Sequence, residues 1–153
     1  MSVTAKPAQH LLDQTQQAAH PHCIVCGRGR ECGLDLRFSL RDDGEVEATF
    51  QCEARFQGYE GILHGGVTSS LLDGAMTNCL FARGIVAVTA EMTVRFRHPI
   101  ALDTPLTVSA HVTRSQMPLH IVEARIVQDG QVKARATGKF MEKLPSQGCA
   151  HVF

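Results

Sequence analysis

The chain has 153 residues, enough for one folded unit with its own core and too few to expect two. Fifteen basic and fifteen acidic residues cancel to a formal net charge of zero, which gives no footing for a nucleic-acid or anionic-membrane partner. No apolar run approaches the roughly 20 residues needed to cross a bilayer, and Met1 to His20 is polar and rich in Gln and Ala, so a cytoplasmic location is expected.

Residues 1–33 read as an N-terminal extension, a short helix followed by a Cys-containing turn. Cys23, Cys26 and Cys32 cluster while Cys52, Cys79 and Cys149 are scattered, which is not the framework of a secreted disulfide scaffold. Reduced thiols are expected. His20, His22, Cys23 and Cys26 carry zinc-ligand chemistry, and Cys-x2-Cys is a common ligand spacing. Structural zinc sites usually add a second, distant pair, and none follows downstream, so no metal is expected.

Leu34 to Leu40 alternates apolar and polar residues as a half-buried strand should. Arg41-Asp42-Asp43-Gly44 is a turn, and Val46 to Cys52 returns, so the two segments form a β-hairpin. A loop with breakers at Gly58 and Gly61 spans Glu53 to His64. Val67, Leu71, Leu72, Ala75, Met76, Cys79 and Leu80 then recur at helical spacing, and Arg83-Gly84 stops the helix after about five turns.

Four strands follow. In Val88 to Phe96 the set Val88, Ala90, Met92, Val94 and Phe96 alternates with Thr89, Glu91, Thr93 and Arg95, and Pro99 ends the run. Leu106 to Val112 and Ile121 to Val127 repeat the pattern, Asp129-Gly130 turns the chain, and Val132 to Phe140 closes the set. The order hairpin, helix, four strands predicts an α+β unit over 34–143, an antiparallel sheet of about six strands curled around one central helix. Residues 144–153 form a C-terminal tail.

Gly61-Ile62-Leu63-His64-Gly65-Gly66 followed by Leu72-Asp73, then Thr93-Val94-Arg95-Phe96 before Pro99, resembles the hotdog-fold acyl-CoA thioesterases of the PaaI-like type. The likeness runs from the hairpin to Phe140. The segment Cys23-Ile24-Val25-Cys26-Gly27 with Gly33-Leu34 also resembles an N-terminal feature of uncharacterised members. The resemblance implies a hydrolase for small or medium acyl-CoA, aromatic ones included, that needs no cofactor. It makes the Gly66 amide the group that polarises the thioester carbonyl and Asp73 the base or nucleophile. Fixed amides at a helix N-terminus stabilise a developing oxyanion, and a partly desolvated carboxylate is a stronger base.

Seven residues separate Gly66 from Asp73, about 10 Å along one helix at the α-helical rise, too far for both to meet one carbonyl carbon. Each site should therefore join Gly66 of one subunit to Asp73 of another. An obligate homodimer, paired further into a dimer of dimers, agrees with the family. Thr89 falls where related enzymes carry a hydroxyl that bonds the acid or its water, on the polar side of its strand. His64 is expected as a buried histidine that shapes the turn, and Gly65, Gln57 and Gly58 as the substrate-binding stretch. Related enzymes place Asn or Gln at the position of Gly58, which has no side-chain donor; Gln57 is the neighbour able to replace it. That departure keeps open a hotdog protein that binds an acyl or aromatic ligand without hydrolysing it.

Overall fold

The computed structural model describes residues 6–29 and 31–142. The expected tail at 144–153, with Cys149, lies outside the described residues. Helix α1 spans Gln9–Ala19, followed by β1 (Ser39–Leu40), β2 (Val46–Phe50), a 3-10 turn (Ala54–Phe56), α2 (Gly65–Phe81), β3 (Ala87–Phe96), β4 (Leu106–Gln116), β5 (Leu119–Gln128) and β6 (Gln131–Glu142). The strands form one antiparallel sheet in the order β1-β2-β4-β5-β6-β3, with α2 against its inner face. This is the sheet around one central helix expected from the order of elements, and the hotdog fold that the resemblance implies.

Helix α2 is wrapped because it is apolar on almost every side. Leu71, Leu72, Ala75, Met76, Cys79, Leu80 and Phe81 are each at most 1% exposed, and a helix hydrophobic all round must be covered all round. Fully burying each large side chain contributes about 1.5–3 kcal/mol. Across from it, Val46, Ala48 and Phe50 of β2, Val122, Ala124 and Ile126 of β5, and Ala134, Ala136 and Phe140 of β6 supply the period-2 core face. Asp129 and Gly130 both take positive φ, the backbone of a type I′ turn whose twist matches that of the strands it joins.

Two expectations about strands are corrected. Only Ser39 and Leu40 of the stretch from Leu34 to Leu40 pair with β2. Asp35 takes a φ of 51°, which breaks the extended run, and the Leu34 and Leu36 amides instead donate to the carbonyls of Ile24 and Val25. Those backbone groups serve the Cys-containing loop. In β3, Val88 and Phe96 are 43% and 59% exposed rather than core: Val88 pairs with exposed Met141 on the outer face of the sheet, and Phe96 lies at the end of the last strand, which has a neighbour on one side only.

The N-terminal extension lies on α2. Ala8 N–H donates to the Ala82 carbonyl at 2.8 Å, and Leu12, Val25 and Cys26 join the main core. A Cβ on Gly74 would stand 2.4 Å from Val25 Cγ1, so the absence of a side chain there is what lets the extension approach the helix.

Gln128 is a polar residue on the buried face of β5, 1% exposed. Its Nε2 donates to the carbonyls of Ala101 and Thr104, each at 2.9 Å, and its Oε1 accepts from Ala101 N–H at 2.9 Å. It fastens the β3–β4 loop. Gln128→Leu leaves these loop groups without partners and is expected to lower stability by about 2–3 kcal/mol, read as a lower urea midpoint at unchanged slope.

Candidate active site

The start of α2 is built by its own first residues. His64 takes a φ of −61° and a ψ of 135°, outside the helix, and its Nδ1 accepts from Gly66 N–H at 2.8 Å. An imidazole that accepts at Nδ1 carries its proton on Nε2. His64 is exposed, not buried as expected. Its place at the N-cap explains why: the side chain bends back over the first turn instead of entering the core. The Gly66 amide is thereby engaged, and the amide of exposed Gly65 is the donor next to it in the same turn.

The loop before α2 folds onto this turn. Gln57 pairs with Leu63 as an isolated bridge, and its Oε1 accepts from Gly61 N–H at 2.9 Å, which occupies the acceptor end of the amide. Gly58 sits directly over His64: an added Cβ would be 3.1 Å from His64 Cα and 3.3 Å from its Cδ2. Gln57, Gly58, His64, Gly65 and Gly66 are thus gathered at one place.

Beside them lies a largely apolar groove of about 390 Å³, walled by Tyr59, Ile62, Leu63, Gly65, Phe96 and His98 among others. Tyr59 is 86% exposed. The Phe96–His98 wall escaped the sequence reading, which assigned Phe96 to the core by alternation. The only available signal was Pro99, which ends β3 at that point.

Asp73 and Thr89 form a second group. Gly66, Ser69, Ser70 and Asp73 recur at helical spacing and are the less buried side of an otherwise enclosed α2, with Ser69 and Ser70 hydroxyls donating to the Gly65 and Gly66 carbonyls. Thr89 Oγ1 donates to Asp73 Oδ1 at 2.7 Å. This bond depends on a β-bulge. Thr89 pairs with Phe140 and Glu91 with Lys139, so one extra residue lies between them on β3. The bulge moves Thr89 to the helix-facing side that it shares with Met92 and Val94, opposite to the face predicted from strict alternation.

Arg97 lines the groove. Lys139 pairs with Glu91 at 2.9 Å, and Arg114 donates to Gln116 Oε1 at 3.3 Å. Arg95, Arg135 and Arg125 stand side by side on β3, β6 and β5 and line a cavity on the outer face of the sheet, where Arg125 pairs with Glu45 at 3.0 Å.

The cysteines divide into two kinds. Burial pushes the Cys52 and Cys79 thiols up to about 11, which makes them inert. Cys23 is held well below the usual thiol range by contacts from Cys26 and then His20, while Cys26 is raised by Cys23 and by burial. His20 is raised in turn by its contact with Cys23.

The model of the thioesterase superfamily matches residues 60–134, which spans the end of the loop, α2, β3 to β5 and the start of β6. The acyl-coenzyme A thioesterase THEM4 of Bos taurus is 24% identical over 125 residues, covering 78% of this chain and 52% of its own length. The chain thus spans about half the length of that curated relative. The solved PaaI protein of E. coli, from a phenylacetic acid degradation operon, superimposes with a TM-score of 0.74 at 22% identity, over 88% of this chain and 95% of that one. The protein smu.793 of Streptococcus mutans, solved with acetyl CoA bound, aligns with a TM-score of 0.66 at 19% identity, over 71% of this chain and 88% of that one.

Proposed function

We propose that this chain is a member of the hotdog-fold thioesterase superfamily and hydrolyses a small or medium acyl-CoA, aromatic ones included, to the free acid and CoA. The observation that carries the reading is the Thr89–Asp73 hydrogen bond on the open side of an apolar helix. A carboxylate held by one oxygen keeps the other for a water or for the carbonyl itself. Asp73 takes the proton of that water as its oxygen adds to the thioester carbon, and the tetrahedral intermediate collapses to the free acid and the CoA thiolate; if Asp73 instead adds to the carbon itself, collapse releases the thiolate and leaves an acyl-aspartate anhydride, which a water then hydrolyses to the acid and the free carboxylate.

The oxyanion needs donors at a helix N-terminus, and here we depart from the assignment to Gly66. Its amide is engaged by His64, so the amide of Gly65, a residue that lines the apolar groove, is the donor offered to the carbonyl. The groove then takes the acyl group. Arg97 at its wall is placed to meet a CoA phosphate.

Gly65 and Asp73 lie about two helical turns apart, so one carbonyl can meet both only across a subunit boundary. Two features support a homodimer. Strand β3 is a ten-residue edge with exposed Val88 and Phe96, and long unpaired edges are pairing surfaces. The open stripe from Gly66 to Asp73 is small enough for close approach of a second helix. Light scattering is expected to give a mass of at least two chains.

Thiol release from a panel of acyl-CoA esters, followed with a thiol reagent, tests the function. Turnover on at least one ester is expected. Gly58 favours a second reading, a binder without turnover, because it supplies no side-chain donor to the carbonyl. Tight binding of acyl-CoA with no thiol released across the panel would establish it.

Thr89 acts on the reaction through Asp73. Thr89→Val is expected to lower kcat roughly tenfold with little change in KM, since the lost group holds the carboxylate and not the substrate. Thr89→Ser should restore most of the rate. A rate that Ser does not rescue would mean that the methyl group matters, through packing.

A further inference from the structure

Where the N-terminal extension packs on α2, His20 at the end of α1 and Cys23 and Cys26 in the loop after it present a nitrogen and two sulfurs that all lie within 4.8 Å of one another. Among the described residues no other group of three His, Cys, Asp or Glu meets that spacing. His20 Nδ1 and Cys26 Sγ are 3.9 Å apart. A tetrahedral zinc ion, with bonds of about 2.3 Å to sulfur and about 2.0 Å to nitrogen, places its ligand atoms roughly 3.5–3.8 Å apart. Small rotamer changes close the difference.

The backbone around the cluster is shaped as a ligand loop. Val25 N–H points at Cys23 Sγ at 3.4 Å, and Gly27 N–H donates to the Cys23 carbonyl at 2.8 Å. A Cβ on Gly27 would stand 2.5 Å from that carbonyl oxygen, so the curl of Cys23-Ile24-Val25-Cys26 requires glycine after it. Gln16 Nε2 donates to the Cys26 carbonyl at 3.0 Å and lies 3.8 Å from its sulfur. The His20 ring stands edge-on to Phe81 at 5.0 Å, which fixes the plane in which its nitrogens point. Outer partners of this kind orient metal ligands.

An independent observation comes from α2 itself. Asn78 is 1% exposed, its Nδ2 donates to the Gly74 carbonyl, and its Oδ1 is buried with no hydrogen-bond partner. Its side chain lies against Cys26. A buried acceptor without a donor costs about 1–3 kcal/mol and calls for an explanation.

We propose that His20, Cys23 and Cys26 bind one zinc ion, with a water as fourth ligand whose proton is accepted by Asn78 Oδ1. Two thiolates and an imidazole suit zinc, and three protein ligands with one water is an established coordination for it. The ion fastens α1 and the Cys-containing loop to α2. The site uses neither Asp73 nor Gly65 as a ligand and holds whether or not the chain is a thioesterase.

The test uses the full chain purified in a reducing, chelator-free buffer and dialysed. Elemental analysis is expected to find about one zinc per chain, and Cys26→Ser or His20→Ala to lose it. Cobalt added to metal-stripped wild type is expected to give thiolate-to-cobalt absorption, which needs no variant to fold. Reduced wild type that takes up neither zinc nor cobalt overturns the proposal. So does a metal-free chain carrying a Cys23–Cys26 disulfide after anaerobic reduction and zinc addition, which would make the pair a redox couple.

Discussion

Asp73→Asn is expected to lower kcat for thioester hydrolysis by about 10³-fold, within the range that a general base supplies, while leaving the oligomer and its melting temperature unchanged. The substitution keeps the shape of the side chain and an oxygen to accept the Thr89 hydroxyl, so the 2.7 Å bond survives and only the basicity goes. Asp73→Ala should lose as much activity. A variant that keeps more than a tenth of the wild-type rate would sink Asp73 as base or nucleophile, and with it the mechanism proposed here.

The second large effect concerns one backbone amide. Gly65→Pro deletes a single N–H at the first position of α2, where proline is well tolerated because that donor has no partner within the helix. His64 already has the extended backbone that a following proline demands, with φ −61° and ψ 135°. A side chain at Gly65 would meet only ordinary contacts with Phe96, at 3.7 Å and beyond. The helix should form as before, and loss of one oxyanion donor should lower kcat about 10²- to 10³-fold.

Mixing gives the sharper result. If each site joins Gly65 of one subunit to Asp73 of the other, co-expressed Gly65→Pro and Asp73→Asn chains form mixed dimers with one intact and one doubly altered site. With random pairing half the dimers are mixed and half the sites in them work, so about a quarter of wild-type activity should return. Activity that stays at the level of the single variants would place both groups in one chain's site or discard Gly65.

Much of this was legible in the sequence because it is local. The alternation in β4, β5 and β6 follows from the two-residue period of a sheet with one face on a core, and those strands lie where the pattern puts them. The apolar run from Val67 to Leu80 has to be a buried helix, since only Asp73, Asn78 and small hydroxyl residues interrupt it. The side chains of Asp73 and Thr89 could be brought together by the resemblance alone. Their contact could not be derived from spacing, because strict alternation pointed Thr89 away from α2.

The bulge between Thr89 and Glu91 is a property of how β3 meets β6, and no residue type in Thr89-Ala90-Glu91 announces it. Likewise, Leu34 to Phe38 has the pattern of a strand, yet its amides serve the loop at Ile24 and Val25, a partner that only folding brings near. Gly66 and its neighbour Gly65 are equivalent donors on paper, and the bend of His64 over the first turn is what engages one of them.

By itself, then, the sequence determined the elements, their order, the wrapped helix and the residue types of the candidate site, because periodicity and turn chemistry act over a few residues. Tertiary structure alone decided which face Thr89 occupies, which amide of the turn His64 engages, and that His20 joins Cys23 and Cys26 against Asn78. Those outcomes depend on register and close approach between segments distant in the chain, which local patterns do not encode.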